Sequence, residues 1–374
     1  MNGNNNKMKI GIVTIFNVLN YGAVLQGLAL YKAIEDMGHE AYMINYIPKR
    51  LKRKTKQVLY DKEVSLCANA KNFVKRTILG IGRGKTKAFR RFLHNNERAT
   101  ATCETINDSF INGKFNYIVV GSDQVWNPEY TEGNIDENFT LRHVTATRKI
   151  SFSSSLGSCV LSDDNKSFLK NSLASFDAVS VREEYAKKLL TEIGIERVER
   201  TCDPTFLLEQ SQWHKLINKA DKGLCPPKKY LLIYTFDHDK RCFEVAQNIA
   251  QRLDLRIVSI SSCIPKPRCV MKQFSSLSPS GFLALFEQSS FVVTNSFHGT
   301  CFSLIFEKDF ISVNKTNNPV RIQDLLSDFG LLSRLYKAPE DLKKLELPIN
   351  YALANKKKAA IRQKAITYLQ KSLC

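Results

Sequence analysis

No apolar run in this 374-residue chain approaches the roughly 18 residues that a membrane-spanning helix needs. The start, Met1-Asn2-Gly3-Asn4-Asn5-Asn6, is polar and lacks the apolar stretch of a secretory signal. Ten cysteines are scattered without a single C-x-x-C pair. The closest two, Cys263 and Cys269, have no histidine near them in sequence, so no zinc or other metal site is expected. No internal repeat is visible, and the asparagine-rich start is the one low-complexity segment. Leu79-Gly80-Ile81-Gly82-Arg83-Gly84-Lys85-Thr86 is not a P-loop, because the first glycine of that motif would have to stand at Leu79. These absences read as a soluble, reduced, cytoplasmic protein.

Acidic residues are also in short supply, 36 against 55 lysines and arginines, for a formal net charge of +19. The imbalance is local. Residues 47–100 hold 16 Lys and Arg against 3 Asp and Glu, densest at Lys49-Arg50-Leu51-Lys52-Arg53-Lys54-Thr55-Lys56. Such a segment is either a solvated insertion or a surface drawn to anions. The anion would be the inner membrane face or a pyrophosphate-bearing substrate. Nucleic acid is not expected, because few aromatics are interleaved for stacking and no nucleic-acid motif accompanies the charge.

What is present is a hydrophobic fraction of 43%, enough for two domains. Short apolar runs typical of parallel strands alternate with helical periodicity. Lys9 to Thr14, Ala41 to Tyr46, Phe115 to Val120, Ile150 to Ser153 and Ala178 to Val181 read as strands, with helices at Ala23 to Asp36 and Glu183 to Ile193. A second series starts at Tyr230 to Phe236. It continues through Arg241 to Leu253 (helix), Arg256 to Ser259 (strand), Ser280 to Gln288 (helix), Phe291 to Thr294 (strand), Gly299 to Phe306 (helix) and Phe310 to Val313 (strand). Two such series predict an α/β protein of two Rossmann-like domains facing a cleft. The first covers residues 8–218 with a basic insertion at 47–100, and the second residues 229–350, with a linker at Lys219 to Lys229. A basic helix over 351–374 is expected to pack back across them.

Polar residues gather at the C-terminal ends of the expected strands, where open α/β sheets bind ligands. They are Asn20-Tyr21-Gly22, Ser122-Asp123-Gln124, Ser153-Ser154-Ser155, Arg182-Glu183, Asp203 and Asn295 to Thr300. The string Thr294-Asn295-Ser296-Phe297-His298-Gly299-Thr300 is the most informative. A strand-to-helix turn with hydroxyls and a glycine offers N–H groups and the positive helix end to an anion, and His298 adds a proton-transfer group. Plainer readings stand beside several of these. Asn20 and Gly22 fit a tight turn, Asp203-Pro204-Thr205 a cap, Arg182-Glu183 a helix-start ion pair, and Trp126 a core wall.

Taken in order, these segments resemble the polysaccharide pyruvyl transferase family. The matching strings include Asn20-Tyr21-Gly22-Ala23, Gly121-Ser122-Asp123-Gln124-Val125-Trp126-Asn127, Val179-Ser180-Val181-Arg182-Glu183, Asp203-Pro204-Thr205 and Ser296-Phe297-His298-Gly299-Thr300. The basic insertion lies outside the match. The resemblance implies a glycosyltransferase-B-like fold with the acceptor on the first domain and the donor on the second. It implies transfer of a pyruvyl group from phosphoenolpyruvate, as co-substrate and with no other cofactor, onto two hydroxyls of a sugar. The product is a cyclic ketal on a glycan or lipid-linked glycan precursor, made in the cytoplasm or at the inner membrane face. His298 is the expected acid/base, and Asp123 or Glu183 handles the acceptor hydroxyl. Arg182 is expected to grip the donor carboxylate, and the N–H groups of Gly299 and Thr300 its phosphate. Asn20, Tyr21, Gly22, Gln124 and Ser296 complete the substrate contacts. Some relatives carry arginine where this chain has Ser296, and Lys315 and Arg321 are the cations that stand to replace it. Two other functions fit the same residues: a nucleotide-sugar-dependent glycosyltransferase, and a non-catalytic glycan- or anion-binding protein.

Overall fold

The structure, a computed structural model, describes residues 7–48, 83–222, 224, 226–235, 239–261, 266–314, 320–343, 345 and 348–374. Most of the basic insertion and Lys315 lie outside the described residues. The chain divides into two compact units. Unit 1 comprises Met1–Ile81, Leu93–Leu208 and Ile361–Cys374, and unit 2 comprises Gly82–Phe92 and Glu209–Ala360. The division after Leu208 precedes the linker expected at 219–229. The physical reason is local: Glu209 and Gln212 form a reciprocal capping box that starts a helix, Gln210–Lys215. Trp213 of that helix is fully buried, edge-on to Phe302 of the same unit at 5.1 Å.

Unit 1 is built on parallel strands β1 (Lys9–Val13), β2 (Glu40–Met43), β3 (Tyr117–Val120), β4 (Arg148–Ser151), β5 (Val179–Val181) and β6 (Val198–Arg200). The first four form a sheet in the order β2-β1-β3-β4, and β5 pairs with β6. Isolated parallel bridges, Ile150 to Ala178 and Ser154 to Val181, run β5 alongside β4. There the serines complete the ladder. Ser151 Oγ donates to the Ser180 carbonyl at 3.0 Å and accepts its N–H at 2.9 Å, and Ser180 Oγ accepts the Ser153 N–H at 2.9 Å. Helix α1 (Tyr21–Asp36) follows β1 and is buried on nearly every side, which explains its apolar composition. The helix α2 (Arg83–Asn96) closes the basic insertion; its residues up to Phe92 belong to unit 2 and those from Leu93 on to unit 1. Helices α3 (Asp163–Leu173) and α4 (Glu184–Glu192) flank the later strands. The core gathers Val13, Ile118, Val120, Trp126, Phe139 and Val181, with Trp126 Nε1 donating to the Phe139 carbonyl at 2.9 Å.

Unit 2 holds β7 (Tyr230–Tyr234), β8 (Arg256–Ile260), β9 (Lys272–Phe274), β10 (Phe291–Thr294), β11 (Asp309–Val313) and β12 (Leu335–Tyr336). All pair in parallel in the order β12-β11-β10-β7-β8-β9. Counted from β7 this is the 3-2-1-4-5-6 order of a Rossmann sheet. Its helices include α5 (Lys240–Arg252), α6 (Pro279–Gln288), α7 (Phe297–Ile305) and α8 (Val320–Phe329). The last helix, α9 (Tyr351–Ser372), begins in unit 2, where Tyr351 Oη donates to the Lys308 carbonyl at 2.5 Å. Its final turns belong to unit 1, where Arg362 Nε donates to the Leu207 carbonyl and Tyr368 Oη to that of Ser151, both at 2.8 Å. Among the described residues no helix is long and apolar enough to cross a membrane.

Candidate active site

In unit 2 the sheet grows to one side from β7 through β8 and to the other from β10 through β11. The crevice beyond the carboxyl ends of β7 and β10 is therefore its topological switch point, where such sheets bind ligands. His298 stands there, in the first turn of α7, with only 6% of its surface exposed. The helix begins at Phe297, two residues before the expected start. Ser296 is its N-cap, accepting the Gly299 N–H at 3.2 Å, and the Thr300 N–H closes on the Ser296 carbonyl at 3.0 Å. Both N–H groups expected to hold phosphate therefore have partners within the helix start. Thr300 is fully buried, its hydroxyl shared with Ser296 O and Ser312 Oγ.

Glycine at 299 serves close packing. A Cβ there would lie 2.2 Å from Thr294 Oγ1, which itself donates to the Tyr234 carbonyl at 2.6 Å and accepts the Ser296 N–H at 3.1 Å. Gly299→Ala is expected to cost about 1–3 kcal/mol through overpacking. Thermal melts should show the loss, and adding Thr294→Ala should restore part of it. Behind α7, Phe302 packs edge-on to Phe282 at 5.6 Å and to Trp213, fixing the helix and with it the histidine.

Three groups surround the histidine corner. The ring of Phe297 lies edge-on to His298 at 5.4 Å, and the Arg321 guanidinium sits 4.9 Å above the Phe297 ring. Asn295, 2% exposed, lies near the Asp239 carboxylate, which caps α5. Hydrogen bonding from Arg241 holds Asp239 below the usual carboxylate range against the opposing effect of burial, and Asn295 adds to it. Asn295 Oδ1 and Thr235 Oγ1, at the ends of β10 and β7, are buried without a hydrogen-bond partner among the described residues. Orphaned buried polar atoms are costly, so two at one switch point mark an unfinished polar site. Sequence reading passed over Thr235. Its only signal is a hydroxyl directly after an apolar strand.

Unit 1 carries a second polar centre. Its sheet reverses between β1 and β3, and Gly121 to Gln124 leave the end of β3. Gly121 has φ +116°, and a Cβ there would meet the Phe152 carbonyl at 2.3 Å, so only glycine lets the loop pass. Asp123, φ +65°, accepts its neighbour's N–H, that of Gln124, at 2.9 Å. Arg182, Glu183 and Asp203 form a buried ion network. Arg182 Nη1 donates to Asp203 Oδ2 at 2.8 Å and Nε to Glu183 Oε1 at 3.2 Å, while Ser155 Oγ donates to that same oxygen at 2.5 Å. Burial opposes the Arg182 charge, but Glu183, Asp203 and Asp123 outweigh it and hold its pKa above the ordinary arginine value. The guanidinium expected to grip a donor carboxylate is thus engaged by protein carboxylates.

Other residues expected at the site also have partners within the protein. Asn20 is the N-cap of α1, accepting the N–H groups of Gly22 at 3.0 Å and Ala23 at 3.4 Å, and Tyr21 is 3% exposed. Gln124 accepts Asn127 Nδ2 at 2.7 Å. Asp203 caps a 3-10 turn, taking both the N–H and the hydroxyl of Thr205. Gln26 was passed over as a contact in its own right. Fully buried in α1, its Nε2 donates to Thr14 Oγ1 at 3.0 Å, which donates to the Ser122 carbonyl at 2.8 Å, tying α1 to both strand ends. A lone amide in an apolar helix was the available signal.

Two Rossmann-like units of parallel strands define a glycosyltransferase-B-like fold. The chain is similar to the UDP-GlcNAc 2-epimerase of Methanocaldococcus jannaschii, with a TM-score of 0.54 and 12% identity over 96% of this chain and 100% of that one. It is similar also to the Neisseria meningitidis UDP-GlcNAc 2-epimerase bound to UDP-GlcNAc (TM-score 0.54, 9% identity, 98% and 99% covered). The S. aureus MnaA-UDP co-structure gives a TM-score of 0.52 at 11% identity, covering 97% of this chain and 96% of that one. No curated protein matches the chain. At these identities the likeness concerns the fold. The sequence itself matches the polysaccharide pyruvyl transferase model over residues 20–316, most of its length. The chain belongs to the polysaccharide pyruvyl transferase family, a family of transferases.

Proposed function

We propose that this protein transfers a pyruvyl group from phosphoenolpyruvate to two hydroxyls of a sugar, in a glycan or lipid-linked glycan precursor. The observation that carries the reading is His298 at the switch point of a Rossmann sheet, within the span matched by the family. Donor chemistry is assigned to unit 2. His298 protonates the methylene carbon of the enol, and positive character develops at the adjacent carbon. One sugar oxygen bonds to that carbon, its bond to phosphate oxygen breaks, and the second sugar oxygen closes the ring. One hydroxyl proton replaces the one His298 gave to the methyl group, and the other leaves with phosphate. Arg321, seated on Phe297, supplies a cation for the anionic donor in place of the arginine that Ser296 displaces. The orphaned oxygens of Asn295 and Thr235 are acceptors for hydrogen-bond donors on substrate or bound water.

Acceptor chemistry is assigned to unit 1. Of its two candidate carboxylates, Glu183 is committed to Arg182 and Ser155, whereas among the described residues Asp123 Oδ1 accepts the N–H of its neighbour Gln124 alone. Asp123 is therefore the base for the sugar hydroxyl, and Glu183 positions Arg182. The test is incubation with phosphoenolpyruvate and candidate sugars, following phosphate release and the mass of the acceptor. Stoichiometric phosphate and a pyruvylated acceptor support the reading. Turnover with a nucleotide sugar alone would replace it with glycosyl transfer, and binding without turnover with a non-catalytic role.

A further inference from the structure

We propose that the exposed face of α2 docks on an anionic lipid bilayer. Along Arg83–Asn96 the helix places Lys87, Arg90, Arg91 and His94 at i, i+3, i+4 and i+7, a single stripe, and all four are exposed. Phe89, Phe92 and Leu93, on the other side, are buried at 2%, 5% and 8% exposure. The helix contains no aspartate or glutamate, and the 47–100 stretch it closes carries the chain's strongest cationic excess. Complementarity of charge therefore selects a negative partner.

The buried phenylalanines decide how the partner is held. The apolar side of α2 is already occupied by protein, so none of it remains to enter the acyl region as an interfacial amphipathic helix would. Attachment is electrostatic, lies at the headgroup level and must yield to salt. A bilayer fits better than a nucleic acid, because the exposed stripe offers no aromatic ring for base stacking. This inference does not depend on the pyruvyl transfer reading.

The experiment floats the full chain with vesicles of pure phosphatidylcholine or of phosphatidylcholine mixed with phosphatidylglycerol, at low and high salt. Binding is expected only to the mixed vesicles, with release at high salt. Lys87→Glu/Arg90→Glu/Arg91→Glu should lower the partition coefficient at least about a hundredfold, since each surface cation contributes roughly 1 kcal/mol. Its melting temperature and its activity on a soluble acceptor should match the wild type. The triple glutamine variant gives a milder second reading of the same stripe. Equal binding to neutral vesicles, salt-resistant binding, variants that bind like wild type, or tighter capture by a nucleic acid duplex would each overturn the proposal.

Discussion

Replacing His298 with alanine is expected to slow pyruvyl transfer by about 10²–10⁴-fold, the usual contribution of a positioned acid/base. The fold should survive. α7 is anchored by Phe302 among aromatic rings and by its Ser296 cap, neither of which the substitution touches. His298→Gln separates two roles, because an amide can hydrogen-bond a substrate but cannot carry its proton. If the histidine transfers the proton, both variants fall together in kcat with similar donor KM. If it only binds, glutamine retains most of the rate and alanine raises KM. Undiminished transfer in a folded alanine variant would remove His298 from the chemistry.

The second large effect concerns stability. Arg182→Ala leaves Glu183 and Asp203 buried without their counter-charge, at an expected cost of about 3–5 kcal/mol. Denaturant unfolding should show a lower midpoint with an unchanged slope. Arg182→Lys retains charge but loses the fork that spans two carboxylates, so it should recover only part of the loss. A direct donor contact predicts a different pattern: raised KM for phosphoenolpyruvate at wild-type stability. The structure's ion network favours the first outcome, and the two measurements together distinguish them.

Sequence periodicity located the longer elements of both sheets because their strands are apolar on both faces and their helices obey a clear repeat. It missed β6, β9 and β12, which are two or three residues long, and gave no bounds for the helices α2, α3 and α8. Lys272–Phe274 is half-exposed throughout, so neither alternation nor a continuous apolar run marks it. The site was legible as a set of polar residues at strand ends, but not in its division of labour. Asn20, Asp203 and Ser296 share the residue types of binding sites because capping demands the same hydroxyls, carboxylates and amides. Only geometry separates a serine that caps a helix from one that meets a ligand. Arg182 illustrates the same limit, since its carboxylate partner Asp203 lies 21 residues away in sequence.

The seat of Arg321 has a consequence for how this protein can be altered. A cation supplied at position 296 would be welded to the start of α7, and any change in it would disturb helix and histidine together. Here the charge is borne by α8 and rests on a phenyl face, while the helix start keeps its serine. If Arg321 serves the anionic donor as proposed, its charge can be changed while the Ser296 cap of the helix stays intact. That makes the position the natural entry for redesigning what this corner accepts.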